Sequence, residues 1–162
     1  MRTLAFGLLA SMTFGGAVVA ATPNPDLAAP IHTFIDAFNK GDGKTAAATH
    51  TTDVAIIDES PPYLWRGPTA FADWSRDLAA DDAKVGITGE MVTLGDVVRT
   101  EVSGRKAYVI VAAVYSFKDH GAAMHEPARM TFALRKGTDG WKIAAWTWTG
   151  PKPKAGEAPA KP

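Results

Sequence analysis

Two adjacent carboxylates, Asp58 and Glu59, stand where an apolar run, Val54 to Ile57, meets Ser60-Pro61-Pro62. A carboxylate at the end of an apolar strand is a candidate proton acceptor, because desolvation raises its pKa toward the range useful for proton transfer. On an extended strand the two acids are not equivalent. Asp58 shares parity with Val54 and Ile56, and Glu59 with Ala55 and Ile57. If Val54 and Ile56 face the interior, Asp58 faces it too and Glu59 faces solvent. A plainer role is open to Asp58, as a turn residue that accepts backbone N–H groups ahead of Ser60-Pro61.

Other side chains around this pair could hold a ligand or pair with an acid. Trp65 follows Tyr63 in a stretch bounded by prolines, where it either folds back as a lid or plugs an open end of the fold. Arg66 could pair with Asp58 or Glu59, which would lower the carboxylate's pKa. Arg129 alternates with Met130 and Phe132; on an inward face it would partner an anionic ligand or Asp58, and on an outward face only water. Trp146 and Trp148 share one strand face, as cross-strand packing or as the floor of an apolar site. Asp119, His120, His125 and Glu126 lie close in sequence but match no common zinc spacing, so "KDHGAAMHEP" reads as a solvated loop and no metal is expected. No Ser-His-Asp order, phosphate-cradling glycine loop or nucleotide fingerprint is present, and no cofactor is expected.

The elements that must position these residues follow from periodicity. Leu27, Ile31, Phe34, Ile35 and Phe38 recur at three and four residues, a helical stripe closed by Gly41. Asp42 can cap a short second helix through "KTAAATH". "DVAIID" is a short strand. Pro61 and Pro62 force extended or turn geometry, and Pro68 opens a third helix with Phe71, Trp74 and Leu78 on one side. Strands follow: "GITGEMVTLGDVVRTEVS", where Gly89 and Gly95 read as bulge markers, "AYVIVAAVYSF", apolar on both parities as if covered on both faces, "ARMTFALRK" and "WKIAAWTWTG". Helices first and a meander of long antiparallel strands after them is an α+β layout.

The ends of the 162-residue chain differ from its middle. "MRTLAFGLLASMTFGGAVVAA" has the basic, apolar and small-residue parts of a secretory signal peptide, expected over residues 1–21, which implies export to the periplasm or medium with no membrane anchor after cleavage. The Pro, Ala, Lys and Gly run at 151–162 reads as a disordered tail. One domain is expected between them, at 22–150. The chain has no cysteine, so its core must hold it without disulfides. Lys and Arg total 17 against 17 Asp and Glu, with no basic block, and nucleic acid is not an expected partner.

The order of these segments resembles the nuclear transport factor 2-like superfamily, in its SnoaL-like branch. The cues are "FIDAFNKGD", "HTTDVAIID", "WRGPTAFADW" and "ARMTFALRKGTDGWKIAAWTW". The resemblance implies a cystatin-like cone, a strongly bent antiparallel sheet wrapped around a long N-terminal helix, with an apolar pocket and a homodimer through the open sheet face. Laid on ketosteroid isomerase, Asp58 falls at the general base. The isomerase's first-helix Tyr falls at Phe34, and its protonated Asp falls near Ala128, so neither oxyanion donor is carried over. The pocket so implied would draw on Phe34, Phe38, Tyr63, Trp65, Tyr115, Arg129 and Trp146 around a small apolar organic ligand. Two activities are compatible with this: a binding domain, or a cofactor-independent isomerase, cyclase or dehydratase with Asp58 as base.

Overall fold

A computed structural model describes residues 25–158. The expected signal peptide lies outside the described residues. Helix α1 (Pro25–Asn39) turns its stripe of Leu27, Ile31, Phe34 and Ile35 inward, and all four are buried. Pro30 sits within the second turn of α1. Asp42 caps α2 (Gly43–Ala48) by accepting the Thr45 N–H at 3.0 Å, as the sequence pattern implies. Helix α3 (Ala70–Val85) follows, and Gly86 ends it in the left-handed conformation at φ 77°.

The strands are β1 (His50–Ile57), β2 (Leu64–Arg66), β3 (Ile87–Ser103), β4 (Lys106–Asp119), β5 (Ala122–Gly137), β6 (Gly140–Thr149) and β7 (Lys154–Ala155). They form one strongly curved, unclosed sheet in the order β2-β1-β6-β5-β4-β3. Strands β3 to β6 meander antiparallel, whereas β1 pairs with β6 in parallel. That parallel pair departs from an all-antiparallel sheet: the first strand joins the last beside it, and the rest of the fold forms the crossover.

The curvature has local causes. Register shifts fall in β3 between Thr88 and Met91 and between Leu94 and Val97, beside Gly89 and Gly95 as expected of bulges. At the first of these gaps Asn39 clamps the end of α1 to the sheet, its Nδ2 donating to the Val92 carbonyl and its Oδ1 accepting from the Val92 N–H, each at 2.8 Å. The concave face carries Val109, Val111, Met130, Phe132, Ile143 and Trp146 against α1. The convex face is less covered than the apolar run in β4 implies: Tyr108, on the parity opposite to buried Ala107 and Val109, is exposed.

Two other expectations are corrected. "KDHGAAMHEP" is no open loop: β4 runs to Asp119, β5 starts at Ala122, and His120 (φ 48°) with Gly121 (φ 88°) makes a two-residue hairpin turn. The stretch from 151 was expected to be unstructured. Through residue 158 it instead returns to the sheet, with β7 paired to Met124 and His125 of β5 and His125 Nδ1 donating to the Gly156 carbonyl at 3.0 Å. The exposed rim of β5 offers unpaired backbone groups, which even an unremarkable sequence can satisfy.

Candidate functional site

A cavity of about 250 Å³ lies between the concave sheet face, the C-terminal half of α1 and the inner side of α3. Its apolar wall comes from Phe34 and Phe38 on α1, Trp74 and Leu78 on α3, and Phe117, Met130 and Trp146 on the sheet. The aromatic rings brace one another. Trp74 and Trp146 meet edge to face with centroids 5.0 Å apart, and Phe34 touches Trp74, Trp146 and His50.

One side of the cavity is acidic because β1 ends where it does. β1 stops at Ile57, and the turn carries both Asp58 and Glu59 to the cavity. Asp58 points inward, as its parity with buried Val54 and Ile56 implies. Its Oδ2 accepts the Trp74 indole N–H at 2.7 Å and its Oδ1 accepts the Glu59 backbone N–H at 2.8 Å. Burial raises the Asp58 pKa, and these two hydrogen bonds hold back part of that rise. The ion pairs among the described residues include none between Arg66 and either acid. Glu59 is exposed, as strand parity implies, and its carboxyl reaches over the rim of the cavity toward Glu126.

Glu126 is the most enclosed acid of the protein, at 0 % exposure. Its Oε1 accepts the Trp148 indole N–H at 2.8 Å, and its Oε2 has no donor among the described residues. Burial and the facing Glu126 carboxyl raise Glu59, and burial with the nearby Asp58 charge raises Glu126, although its hydrogen bonds to Trp148 and Glu59 hold back part of that rise. Two carboxyls set against each other share a proton more readily than they ionise together, and a shared proton would give Oε2 its missing donor.

A second acid faces the cavity from α3, with Glu90 of β3 beside it outside the lining. Asp82 is 7 % exposed, its Oδ2 lacks a donor, and burial with Glu90 opposite pushes it up to about 8. The Tyr115 hydroxyl donates to Glu90 Oε1 at a long 3.4 Å. Burial and Glu90 push that phenol above its ordinary value. Among the described residues, no Lys, Arg or His lines the cavity.

Five of the residues expected at a pocket are brought together here: Asp58, Phe34, Phe38, Tyr115 and Trp146. Three are placed elsewhere. Tyr63 is 57 % exposed in the turn. Trp65 neither roofs the cavity nor plugs it; it is buried under α3, where its Nε1 donates to Asp77 Oδ2 at 2.9 Å. Arg129 faces outward, because Glu126, Met130 and Phe132 hold the inward parity of β5. Glu126, which the sequence pattern places only at the border of the Arg129 strand, is carried inward because β5 extends back through it; the signal is the Met130–Phe132 alternation continued back four residues.

Gly150, directly after β6, gives Glu126 its space. A Cβ built at Gly150 would stand 1.9 Å from Glu126 Oε1. Gly150→Ala is therefore expected to push the Glu126 carboxyl off Trp148 and cost about 1–3 kcal/mol, the range for stranding a buried polar group. Urea unfolding measures the loss, and Trp emission should change in the folded state. An unchanged midpoint and spectrum would show that Glu126 moves aside freely.

The chain matches the SnoaL-like domain family over residues 27–148. Among curated proteins, no sequence matches it. Solved structures do. A ketosteroid isomerase-like protein from Erwinia carotovora atroseptica superposes with a TM-score of 0.61 at 22 % identity, covering 80 % of this chain and 99 % of that one. A hexachlorocyclohexane dehydrochlorinase from Novosphingobium barchaimii gives 0.65 at 14 %, covering 78 % and 88 %. The CaMKII hub of S. rosetta gives 0.63 at 21 %, covering 82 % and 100 %. At these identities the likeness is one of fold, and a fold of this kind carries many activities. With the family matched across nearly all of its described residues, this chain belongs to the SnoaL-like domain family and has the nuclear transport factor 2-like cone.

Proposed function

We propose that this protein binds a small organic molecule in the cone cavity. The cavity itself carries the reading: about 250 Å³, roughly eight waters at ~30 Å³ each, walled by aromatic rings with a few convergent polar groups. A compact ligand fits this space.

A second reading, proton transfer without a cofactor, is favoured by Asp58. Its carboxylate faces the cavity, is raised by burial and has no guanidinium partner to hold it ionised. The donors that the isomerase resemblance lacks at Phe34 and Ala128 have candidates at other positions. These are the Tyr115 hydroxyl and the protonated member of an acid pair, which can donate where a carboxylate cannot. Two of the structural neighbours bear enzyme names, an isomerase-like protein and a dehydrochlorinase, which fits this reading. We also propose export, on the leader-like residues 1–21, and a second copy of the chain as partner, which light scattering of the purified protein would reveal.

A thermal-shift screen of compact organic molecules on the wild type and Asp58→Asn tests both readings. Binding predicts ligands that raise the midpoint of both proteins equally. Proton transfer predicts at least one that the wild type converts and Asp58→Asn only binds. A screen in which nothing shifts either protein or perturbs its Trp emission would overturn the pocket reading.

A further inference from the structure

Resting on that binding reading, we propose that the ligand is a small organic cation, a protonated or quaternary amine, seated against Trp74, Trp146 and Trp148 and faced by Asp58, Glu59 and Asp82. Two independent features of the cavity converge on this class. The first is the wall. Indole and phenol faces carry negative quadrupole potential and hold an ammonium group within about 6 Å of the ring centroid. Three Trp and one Tyr line this one space.

The second is uncompensated acidity. The lining takes Asp58 and Glu59 from the turn after β1, Asp81 and Asp82 from α3 and Tyr115 from β4; Glu126 of β5 and Glu90 of β3 stand outside the lining as the partners of Glu59 and Asp82. The cavity face of α1 supplies only Phe34, Ile35 and Phe38, and that of β6 only indoles. No basic side chain answers the acids from any of these elements. An anionic ligand would find no cation here to pair with and would depend on every acid keeping its proton, and a neutral one would leave the imbalance in place. Asp82 is more than nine-tenths buried, lines the cavity, and its Oδ2 lacks a donor. An N–H or a polarised N–methyl group of a ligand supplies what that oxygen lacks. Trp146 Nε1 is a buried donor without an acceptor, so an oxygen on the same ligand would complete the site.

Protons do part of the work that a cation would do: burial and the facing carboxyls raise Glu59 and Asp82, so that members of the acid pairs are neutralised by protonation. A cation entering the cavity competes with these protons and must expel some of them. Binding should therefore strengthen as pH rises and should release protons, a signature that apolar filling of the same space would not show.

Isothermal titration calorimetry on the full protein tests this with tetramethylammonium, choline and benzyltrimethylammonium. 3,3-Dimethylbutan-1-ol serves as the uncharged match for choline. At least one cation should bind, about ten-fold or more tighter than the alcohol, as a cation held by rings and carboxylates requires. Its affinity should rise several-fold from about pH 6 to about pH 8.5, with buffer-dependent heats that report proton release. Asp82→Asn, which keeps the side-chain volume, should weaken the cation and leave the alcohol unchanged. If the alcohol binds as well as choline at both pH values, the pocket reading survives and the cation class is overturned. If none of the three cations binds, the cation class is overturned too, while the screen above judges the pocket separately.

Discussion

Phe34→Ala is expected to lower the unfolding free energy by about 3–5 kcal/mol, the cost of deleting a large aromatic side chain from a core that cannot close around the gap. Phe34 is 1 % exposed and sits where three layers meet. Its ring touches Phe71 and Trp74 of α3, Trp146 of β6 and His50 of β1. Those partners are themselves rigid rings in contact with one another, so relaxation into the space would break further edge-to-face pairs. A domain stabilised by roughly 5–15 kcal/mol in total would lose a large share of that to one substitution. Urea unfolding followed by Trp emission measures it, with Phe34→Leu as a milder control. A loss below about 1 kcal/mol would mean that the aromatic cluster is less close-packed than these centroid distances imply.

The second large effect is on pH. His50 is buried between the rings of Phe34 and Phe71, and burial pushes its pKa down from 6.5 to about 4. The Ala46 carbonyl can only accept, so the imidazole proton sits on Nδ1, 2.9 Å from it, and Nε2 is left bare in apolar surroundings. Protonating Nε2 would place a cation there with no acceptor. The folded pKa lies below the unfolded one, so the unfolded chain takes the proton first. The stability due to His50 is full above about pH 6.5, falls as the pH drops toward 4, and is then level. A shift of that size corresponds to about 3 kcal/mol at ~1.4 kcal/mol per pH unit. The acids of the cavity act in the opposite sense. Asp82, raised to about 8, stabilises the fold at low pH and loses that contribution as the pH rises through 8. The His50 contribution is therefore read as a difference. Between pH 7.5 and pH 4, the stability gap between the wild type and His50→Gln should shrink by about 3 kcal/mol. A gap that stays constant would mean that His50 is not held neutral.

Much of this protein is written locally. The stripe from Leu27 to Phe38, Asp42 ahead of α2 and Gly89 and Gly95 in β3 each act through neighbours a few residues away. Period, cap and bulge could therefore be read one segment at a time, and their order sufficed for the SnoaL-like cone. Asp58 was legible for the same reason. Its direction follows from Val54 and Ile56, two and four residues before it on a regular strand.

Where local regularity stops, only the tertiary structure decides. Glu59, exposed as strand parity implies, still reaches the cavity rim, because β1 has ended and alternation does not tell which side chains a turn brings within reach of Glu126. Trp65 goes beneath α3 rather than over the cavity because Asp77, on another element, accepts its N–H. Whether residues 151–158 find a partner depends on the open rim of β5. The acid pairs are the fullest case. Glu59 and Glu126 are 67 positions apart, and Asp82 and Glu90 belong to a helix and a strand. By itself the sequence determined the cone, its helix and the inward Asp58, because periodicity is a property of each segment alone. The acid cluster and its raised pKa values were decided by the curving of the sheet over the helices, because desolvation and like-charge repulsion exist only once distant carboxyls are brought around one cavity.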